Sequence, residues 1–434
     1  MQFGSTRGKA PVVGLSEAIR NGVAPDGGLY LPQVVPRVAP GALRPESGLA
    51  SFTAQLLAPF FVGDILEAEL DSICSESFNF PVPLVTPNAF EPNLRALELF
   101  HGPTGAFKDF GARFLMACFD RIGDSSRPLT ILAATSGDTG AAVGCAAEGR
   151  TRVRATILFP KGRVSPFQEL QLTCWNDPVQ SFEVAGDFDD CQRLVKAAFA
   201  DPDLPATHQL SSANSINIGR WLPQMAYIAS TAVTLFEETG IAPGFVIPTG
   251  NLGHGFAALY CRAMGLPVGP IILATNANRT LGEWFETSDY APRPSVATLA
   301  NAMDVGAPSN FERLIHLPAE LRQVTVERVK DNAIETRIKV DHRAGYVWCP
   351  HSATAAEAYA RLDGARKNER TWVAAATAHP FKFADIIEPL IGETVEPSPS
   401  LRALIGRPTR KVAIGNQLDE LSLQLARGYE RFEG

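Results

Sequence analysis

The stretch "LTILAATSGDTGAAVGCAAEG" at residues 129–149, followed by "RATILFP" at 154–160, decides the fold. It begins with a largely apolar run that has the length of a buried strand. A turn rich in glycine and threonine follows, then a helix-length run of small residues, and then a second strand. Strand, turn, helix and strand in this order indicate a parallel sheet covered by helices on both faces.

The same alternation returns further along the chain. "GFVIP" at 244–248 predicts a strand, "TGNLGHG" at 249–255 a turn and "FAALYCRAMG" at 256–265 a helix, after which "PIILATN" at 270–276 begins the next unit. The apolar run "WVAAA" at 372–376 predicts a late strand. We therefore predict an α/β protein whose functional side chains lie at the carboxyl ends of parallel strands.

The beginning of the chain has a different pattern. Two helical patterns there lead into the proline-rich "FNFPVPLVTPN" at 78–88, which is typical of a hinge. We predict an N-terminal domain at 1–85, an α/β core at 86–392 and a C-terminal helical segment at 393–434 that packs on the core.

Composition and charge argue against several classes of partner. The 434 residues carry a net charge of −7 without an acidic or basic block, which argues against nucleic acid or an anionic membrane as the main partner. No apolar run approaches the roughly 20 residues that span a bilayer, and the start "MQFGSTRGKAP" lacks the apolar core of a secretory signal. The seven cysteines include no C-x-x-C and the seven histidines no H-E-x-x-H. We therefore expect a cytoplasmic protein with reduced thiols and no catalytic metal.

One lysine stands in an unusual place. In "LELFHGPTGAFKDFGARF" at 97–114, Lys108 follows a tight turn and lies between Phe107 and Phe110. Burial lowers the pKa of a lysine towards the neutral amine, and a neutral amine can form a Schiff base with an aldehyde. The alternative is an exposed lysine on an amphipathic helix, whose stem covers the phenyl rings.

A glycine-rich turn after a predicted strand is a candidate anion site. In "PTGNLGHG" at 248–255, the glycines let backbone N–H groups point inward, and the following helix adds partial positive charge at its start. Such a cradle suits a phosphate, although a merely tight turn between strand and helix has the same pattern. The spacing G-x-x-G-x-G differs from the G-x-G-x-x-G of dinucleotide-binding folds, which disfavours a nucleotide-binding protein.

The turn "ATSGDTG" at 134–140 adds hydroxyl groups to the same design. Thr135, Ser136 and Thr139 join the backbone donors in a polar nest for a carboxylate or a second phosphate. Asp138 is unexpected there, because its charge would repel an anion. It is either an N-cap of the following helix or a residue with a functional role.

Two further stretches supply polar side chains. "SSANSINIGRW" at 211–221 includes Arg220, whose guanidinium can bind a phosphate or carboxylate through two hydrogen bonds, although such stretches are also plain loops. "ATAHPFKF" at 376–383 places Thr377 and His379 directly after a strand. A Schiff-base lysine, a phosphate cradle and a second anion nest are all explained by one cofactor with an aldehyde and a phosphate. That cofactor is pyridoxal phosphate (PLP).

These motifs together resemble the threonine synthase family, in its shorter bacterial and fungal type, among the fold-type II PLP enzymes related to tryptophan synthase β. The resemblance runs from residue 22 to residue 392. It is carried by "GVAPDGGLYLP", "LELFHGPTGAFKDFGARF", "ATSGDTGAA", "SSANSINIGR", "PTGNLGHG", "NAMDVGAPSNFER" and "ATAHPFKF". It implies two doubly wound parallel-sheet subdomains plus a smaller N-terminal domain. It also implies conversion of O-phospho-L-homoserine and water to L-threonine and phosphate by a monomer or homodimer.

The resemblance further implies a role for each candidate residue. Lys108 is the Schiff-base lysine, Asp138 flanks the 3′-oxygen of the cofactor ring and Thr377 meets its nitrogen. The cofactor phosphate is bound by Gly250, Asn251, Leu252 and Gly253. The substrate is bound by Thr135, Ser136, Thr139, Asn214, Ser215 and Arg220. Lys161 and Arg163 are further candidates for the substrate phosphate, and the sequence does not choose between them.

Two positions depart from the usual cofactor loop of the family. Leu252 replaces a phenylalanine, which we expect to be tolerated because backbone donors bind the phosphate. His254 replaces an aspartate or asparagine, and we expect its side chain to lean towards solvent rather than add positive charge near the phosphate.

Two rival interpretations keep the PLP scaffold. One is a different reaction, such as that of a serine or threonine dehydratase or a cysteine-synthase-like replacement. The polar stretch around Arg220 favours instead a substrate with its own phosphate. The other is a catalytically idle PLP-homeostasis or ligand-sensing protein, which the presence of Lys108, Asp138 and Thr377 disfavours.

Overall fold

The computed structural model describes residues 1–39 and 41–427. The strands are β1 (Phe3–Ser5), β2 (Tyr30–Pro32), β3 (Leu84–Val85), β4 (Leu94–Glu98), β5 (Leu129–Ala134), β6 (Val153–Pro160), β7 (Val179–Val184), β8 (Leu210–Ser212), β9 (Gly244–Pro248), β10 (Ile271–Thr275), β11 (Thr325–Arg328), β12 (Trp372–Ala376) and β13 (Val412–Ile414).

The α-helices are α1 (Leu15–Asn21), α2 (Leu49–Phe61), α3 (Leu70–Ser77), α4 (Lys108–Ile122), α5 (Asp138–Ala147), α6 (Pro166–Thr173), α7 (Phe188–Ala200), α8 (Leu204–His208), α9 (Ile218–Trp221), α10 (Met225–Thr239), α11 (Gly253–Ala263), α12 (Thr280–Thr287), α13 (Phe311–Leu314), α14 (Asp331–Arg343), α15 (Pro350–Ala360), α16 (Gly364–Asn368), α17 (Ala384–Ile391), α18 (Pro399–Arg402) and α19 (Leu418–Arg427). Short 3-10 helices lie at Pro45–Ser47, Glu67–Glu69, Leu222–Gln224, Asn301–Met303, Ala319–Leu321 and Pro380–Phe383.

A six-stranded sheet has the order β11-β10-β9-β12-β4-β3. Its neighbouring strands are parallel except for β3, which is antiparallel to β4. β9 and β12 are buried along their whole length, as expected of central strands covered on both faces. Because β12 lies between β9 and β4, the loops that follow these three strands meet at one edge of the sheet.

A second sheet has the order β13-β7-β6-β5-β8, and all of its neighbouring strands are parallel. The strands predicted at 129–134 and 244–248 are β5 and β9, with the same bounds. The prediction of parallel sheets covered by helices is confirmed.

The C-terminal segment predicted to be helical contains a strand as well as helices. β13 adds to the edge of the second sheet beside β7, so the helical prediction is wrong at these residues. A three-residue strand has too few positions to show an alternating pattern, and only its partner on the sheet makes it a strand. The end of that predicted segment, at 428–434, lies outside the described residues.

The N-terminal elements cover the back of the helix that begins at Lys108. α2 and α3 pack on α4 through aromatic pairs, with ring centres 6.2 Å apart for Phe61 and Phe114 and 5.7 Å apart for Phe78 and Phe110. The domain boundary at residue 85 stays a prediction. Within the described part of the chain, no helix has both the length and the apolarity needed to cross a membrane.

A buried carboxylate on α14 connects this helix to the proline-rich segment at 78–88. Asp341, on α14, is 2% exposed and accepts hydrogen bonds from Asn88 Nδ2 at 3.2 Å and from Trp348 Nε1 at 2.8 Å. Both donors are themselves buried. Removing the acceptor therefore leaves two buried donors without a partner.

We expect Asp341→Ala to lower the free energy of unfolding by about 2–4 kcal/mol, because it leaves those donors unsatisfied. The shift of the urea unfolding midpoint measures the effect. Asp289→Ala, at an exposed position, is the control and should change stability by less than about 0.5 kcal/mol. Equal shifts in the two variants would contradict the proposed role of Asp341.

Candidate active site

Lys108 is the first residue of α4, and Asp109 holds the turn before it. The buried Asp109 carboxylate accepts hydrogen bonds from the Thr104 amide at 2.9 Å and from the Thr104 hydroxyl at 2.7 Å. The Phe107 amide donates to the Thr377 carbonyl at 2.8 Å. The segments that carry Lys108 and Thr377 are therefore neighbours in the folded chain.

The Lys108 amine lies in a poorly solvated, positively charged setting. Its Nζ is 4.7 Å from the centre of the Phe107 ring. Burial, followed by the positive charge of Arg220, lowers the pKa of Lys108 from 10.5 to about 8, while Asp138 acts in the opposite direction. The residue is half-buried at the start of α4, which disfavours the alternative of a solvent-facing lysine. Phe110 contacts Phe80 and Tyr227, with ring centres 4.7 and 5.0 Å away.

The turn after β9 leaves backbone donors free. Among the described residues, the amides of Gly250, Asn251 and Leu252 donate to no protein acceptor. They precede α11, whose first amides also lack acceptors within the helix. Leu252 adopts a positive φ of 65°, so the chain here turns sharply into the helix. Free amides at a helix N-terminus make a site for an anion.

The side chain of Asn251 fixes this turn in place. It donates to Ser215 Oγ at 2.6 Å and accepts from the Ser309 amide at 2.5 Å. Asn310 Nδ2 donates to the Asn251 carbonyl at 3.0 Å. Ser215, predicted as a substrate ligand, therefore supports the turn after β9 directly. Asn214 beside it has a buried Oδ1 without a hydrogen-bond partner among the described residues.

Arg313 supports the same region and was missed by sequence reasoning. Its guanidinium is fully buried and donates to the Tyr30 and Ser215 carbonyls, both at 3.2 Å, and to Asn310 Oδ1 at 2.5 Å. Burial lowers the pKa of Arg313 to about 9. Arg313 is the last residue of "NAMDVGAPSNFER", one of the stretches that carry the family resemblance. The sequence does not show that its side chain connects the N-terminal domain to the turn after β9.

The 135–140 turn uses one of its hydroxyls internally. Thr135 Oγ1 accepts from the amides of Gly137 at 3.0 Å and Gly140 at 2.9 Å, and it donates to the Gly137 carbonyl at 3.2 Å. It therefore has no hydrogen left to donate to a substrate. Ser136 and Thr139 are partly exposed and keep their hydroxyls for a ligand.

Asp138 is not the N-cap of α5. The cap position is Gly137, and no side chain makes the cap hydrogen bond, so the N-cap alternative is wrong. Asp138 instead lies 3.1 Å from the Nζ of Lys382, a buried lysine in "ATAHPFKF". The sequence displayed Lys382 but gave no sign of its partner.

Thr377 lies at the end of β12 in a buried polar group. Its amide donates to Ser352 Oγ at 2.8 Å, and the two hydroxyls are 3.4 Å apart. His351, also buried, accepts at Nε2 from the Ala302 amide at 3.0 Å. The proton of this imidazole is therefore on Nδ1, which has no partner among the described residues. His379 acts as the cap of the following 3-10 helix by accepting from the Phe381 amide at 3.2 Å.

The expectation that His254 leans towards solvent is wrong, and so is the alternative of a positive charge. The ring is 5% exposed and stacks on Phe107, with ring centres 4.8 Å apart. Burial, followed by the charge of Lys108, lowers the pKa of His254 to about 3, so the imidazole is neutral. Packing against Phe107 and Tyr227 fixes the position of the imidazole. The ring centres of His254 and Tyr227 are 5.5 Å apart.

The candidate cations for a substrate phosphate lie in different environments. Arg220 is 1% exposed, Nη1 donates to the Ala213 carbonyl and Nε has no partner among the described residues. Burial lowers its pKa to about 10. Lys161 and Arg163 are both exposed, in the loop after β6.

The residues at this edge fit pyridoxal phosphate. The free amides after β9 suit its phosphate, the Lys108 amine suits its aldehyde, and the unpaired Nδ1–H of His351 and the Thr377 hydroxyl are additional donors. No group of three or more His, Cys, Asp or Glu able to hold a metal occurs in residues 1–39 and 41–427.

Comparison with known families and proteins gives a consistent result. Residues 77–378 match the family described as "Pyridoxal-phosphate dependent enzyme", residues 2–78 match "Threonine synthase N terminus" and residues 352–422 match "Threonine synthase, C-terminal". Threonine synthase of Haemophilus influenzae is 37% identical over 384 residues, which are 88% of this chain and 89% of that protein. The chain belongs to the threonine synthase family.

Other members of the family agree with this assignment. Threonine synthase of Escherichia coli is 36% identical over 88% of this chain and 90% of that protein. Its crystal structure superimposes with a TM-score of 0.90 over 98% of this chain and 100% of that chain, at 32% identity. A structure described as PLP-bound threonine synthase from Brucella melitensis has a TM-score of 0.89 and 33% identity, over 98% of this chain and 99% of that one.

These matches confirm three sequence-based predictions: the threonine synthase family, the fold-type II α/β architecture and pyridoxal phosphate as the cofactor. They exclude the nucleotide-binding interpretation. The roles of individual residues stay predictions.

The position of Lys108 predicts a measurable reactivity. In the apoprotein, the rate of acetylation of Lys108, followed by mass spectrometry of its peptide, should rise with pH to a midpoint of about 8. In urea the same peptide should have a midpoint near the ordinary lysine value of about 10.4. Arg220→Met should raise the folded-state midpoint, because it removes a positive neighbour that disfavours the ammonium. A folded midpoint above that of the denatured peptide would contradict this account.

The turn after β9 predicts a difference between two glycines. A Cβ at Gly250 would lie 2.7 Å from the Cα of Met303, which is backbone and cannot move aside easily, whereas a Cβ at Gly253 would come no closer than 3.4 Å to another atom. We expect Gly250→Ala to weaken PLP binding by the apoprotein at least about tenfold, or about 1.4 kcal/mol. Gly253→Ala is the matched control with a smaller loss. Fluorescence titration with PLP measures both, and equal losses would contradict the steric argument.

Proposed function

We propose that this protein is a threonine synthase that converts O-phospho-L-homoserine and water to L-threonine and phosphate. The observation that carries the proposal is the Lys108 amine, which has a lowered pKa and interacts electrostatically with His254, beside the turn after β9, and with Asp138, in the turn after β5. One turn suits the phosphate of the cofactor and the other suits the carboxylate of an amino-acid substrate.

In this proposal the chain holds pyridoxal phosphate through several of its own groups. The amides from Gly250 to Gly253 bind the phosphate, Lys108 binds the aldehyde carbon and Thr377 offers a neutral hydroxyl to the ring nitrogen. When bound, the cofactor supplies an electron-accepting ring that stabilises negative charge at the substrate Cα. A neutral hydroxyl at the nitrogen leaves the ring less protonated than a carboxylate would.

Lys108 acts as the base that takes the proton from the substrate Cα. A base must be unprotonated at the working pH, and a pKa of about 8 leaves a usable fraction of neutral amine near neutrality. The ordinary lysine value of about 10.4 would leave far less. Loss of a second proton at Cβ accompanies departure of phosphate from Cγ. A proton then adds at Cγ, water adds at Cβ, and a proton returns to Cα to give threonine.

The substrate is held at both ends. Ser136 and Thr139, whose hydroxyls are free, bind the carboxylate together with the turn amides, while Thr135 keeps the turn in shape. Asn214, Ser215 and Arg220 are proposed for the substrate phosphate, with Lys161 or Arg163 at the exposed side. The unpaired Asn214 Oδ1 and Arg220 Nε are consistent with a polar ligand nearby.

We also propose a cytoplasmic enzyme, monomeric or homodimeric, that acts on a small molecule and does not bind nucleic acid. The seven cysteines are all free thiols, and six of them are buried. That pattern is typical of a reducing compartment.

The proposed reaction is tested by product analysis. The purified holoenzyme should release phosphate and threonine from O-phospho-L-homoserine in equal amounts, and Lys108→Ala should lose both turnover and the visible absorbance of the bound cofactor. Release of 2-oxobutanoate and ammonia would show a dehydratase instead. Full activity of Lys108→Ala would remove Lys108 from the mechanism.

A further inference from the structure

Asp138 and Lys382 form an ion pair that is almost closed to water. The Lys382 side chain has no exposed surface and the Asp138 side chain is 9% exposed, and Lys382 Nζ lies 3.1 Å from Asp138 Oδ1. The two residues follow different sheets: Asp138 comes after β5 in the five-stranded sheet, and Lys382 comes after β12 in the six-stranded sheet. The pair therefore bridges the two halves of the core at the candidate site.

The Lys382 ammonium has two neutral hydrogen-bond acceptors beside its ion pair with Asp138. Its Nζ donates to the Thr104 carbonyl at 2.7 Å and to Gln171 Oε1 at 2.5 Å. The contact with Asp138 Oδ1 at 3.1 Å is an ion pair without hydrogen-bond geometry, and this oxygen has no hydrogen-bond partner among the described residues. Gln171 is itself fixed, because its Nε2 donates to the same Thr104 carbonyl at 2.9 Å.

These partners connect Lys382 to the position of Lys108. Thr104 belongs to the turn that Asp109 closes directly before α4, and Lys108 is the first residue of that helix. A lysine held by Thr104 on one side and by Asp138 on the other fixes the distance between the Lys108 turn and the turn after β5.

The charges around the pair balance one another. Burial alone would raise the pKa of Asp138, but the charge of Lys382, followed by the effects of His351 and Lys108, lowers it below its usual value. Cys349 also faces Asp138, and Asp109 and His379 face Lys382. Breaking a buried pair by removing one partner leaves an uncompensated charge, which is strongly destabilising.

We propose that Lys382 is a positioning residue: its ammonium is the fixed counter-ion that holds the Asp138 carboxylate in the turn after β5, within electrostatic range of the Lys108 amine. This explains how an acidic residue stands in an anion-binding turn without repelling the anion. Because Lys382 neutralises the charge of Asp138, the turn amides and the Ser136 and Thr139 hydroxyls stay available to a carboxylate. The inference deepens the proposed function, on which it rests only for the role of Lys108.

The test uses the holoenzyme and three variants: Lys382→Met, Asp138→Asn and the double variant. Methionine keeps the length of the lysine stem and removes its charge. Arg402→Met is the control, because Arg402 pairs with Glu396 and both side chains are exposed, at 64% and 76%, and exposed pairs contribute little to stability. Two readouts are independent of turnover: the thermal unfolding midpoint, and the pH dependence of the cofactor absorbance between pH 5 and 10.

Lys382→Met should lower the unfolding midpoint clearly more than Arg402→Met. It should also add a titration step to the cofactor absorbance, because Asp138 then takes up a proton at a higher pH than in the parent enzyme. The double variant should regain much of the lost midpoint and should lack the added step, because no uncompensated carboxylate remains. This non-additivity is the signature of a coupled pair.

The opposite results overturn the proposal. Additive midpoint losses would show that the two residues act independently, and an unchanged pH profile in Lys382→Met would show that the pair has no influence on the cofactor site. If Lys382→Met does not fold but the double variant does, charge compensation is supported. If neither folds, the ammonium serves Thr104 and Gln171 rather than Asp138, and the proposal is wrong. None of these outcomes depends on which substrate the enzyme turns over.

Discussion

Lys108, the proposed base, lies beside turns whose amides bind anions, and the rest of the proposed site depends on this positive electrostatic setting. Amides and cations that attract an anion disfavour the ammonium form of a neighbouring lysine, so the same setting favours the neutral amine. Limited solvation and the nearby Arg220 guanidinium lower the Lys108 pKa to about 8. The lysine is kept in this environment because the start of α4 is fixed. Asp109 accepts two hydrogen bonds from Thr104, and the Phe107 amide donates to the Thr377 carbonyl.

The binding of anions relies on the main chain more than on charged side chains. The amides after β9 have no protein acceptor among the described residues, and Asn251 is held by Ser215, Ser309 and Asn310. Because the donors are amides, the leucine at position 252 leaves them available, while its own side chain is buried in the core. At position 254 the imidazole is buried and stacks on Phe107, the residue directly before Lys108.

Buried charges in this protein are satisfied in two ways. Among the described residues, Arg313 has no carboxylate partner and is held by carbonyls and an amide oxygen, which suits a residue that connects neighbouring segments. Lys382 combines a carboxylate with neutral acceptors, so that Asp138 keeps its charge inside the core. Each arrangement holds segments from distant parts of the chain at fixed distances, as pre-organised sites require.

The sequence by itself determined the parallel α/β architecture and the family, and it selected Lys108 and two glycine-containing turns as site candidates. These depend on local patterns: apolar runs of strand length, glycines in turns and a motif around one residue. Only the tertiary structure decided which polar residues are free to bind a ligand. Thr135 is occupied by its own turn, His254 is buried and neutral, and β13 becomes a strand only through its pairing with β7. The partnership of Asp138 with Lys382 joins residues far apart in the chain, so no local pattern encodes it and packing alone brings the two charges together.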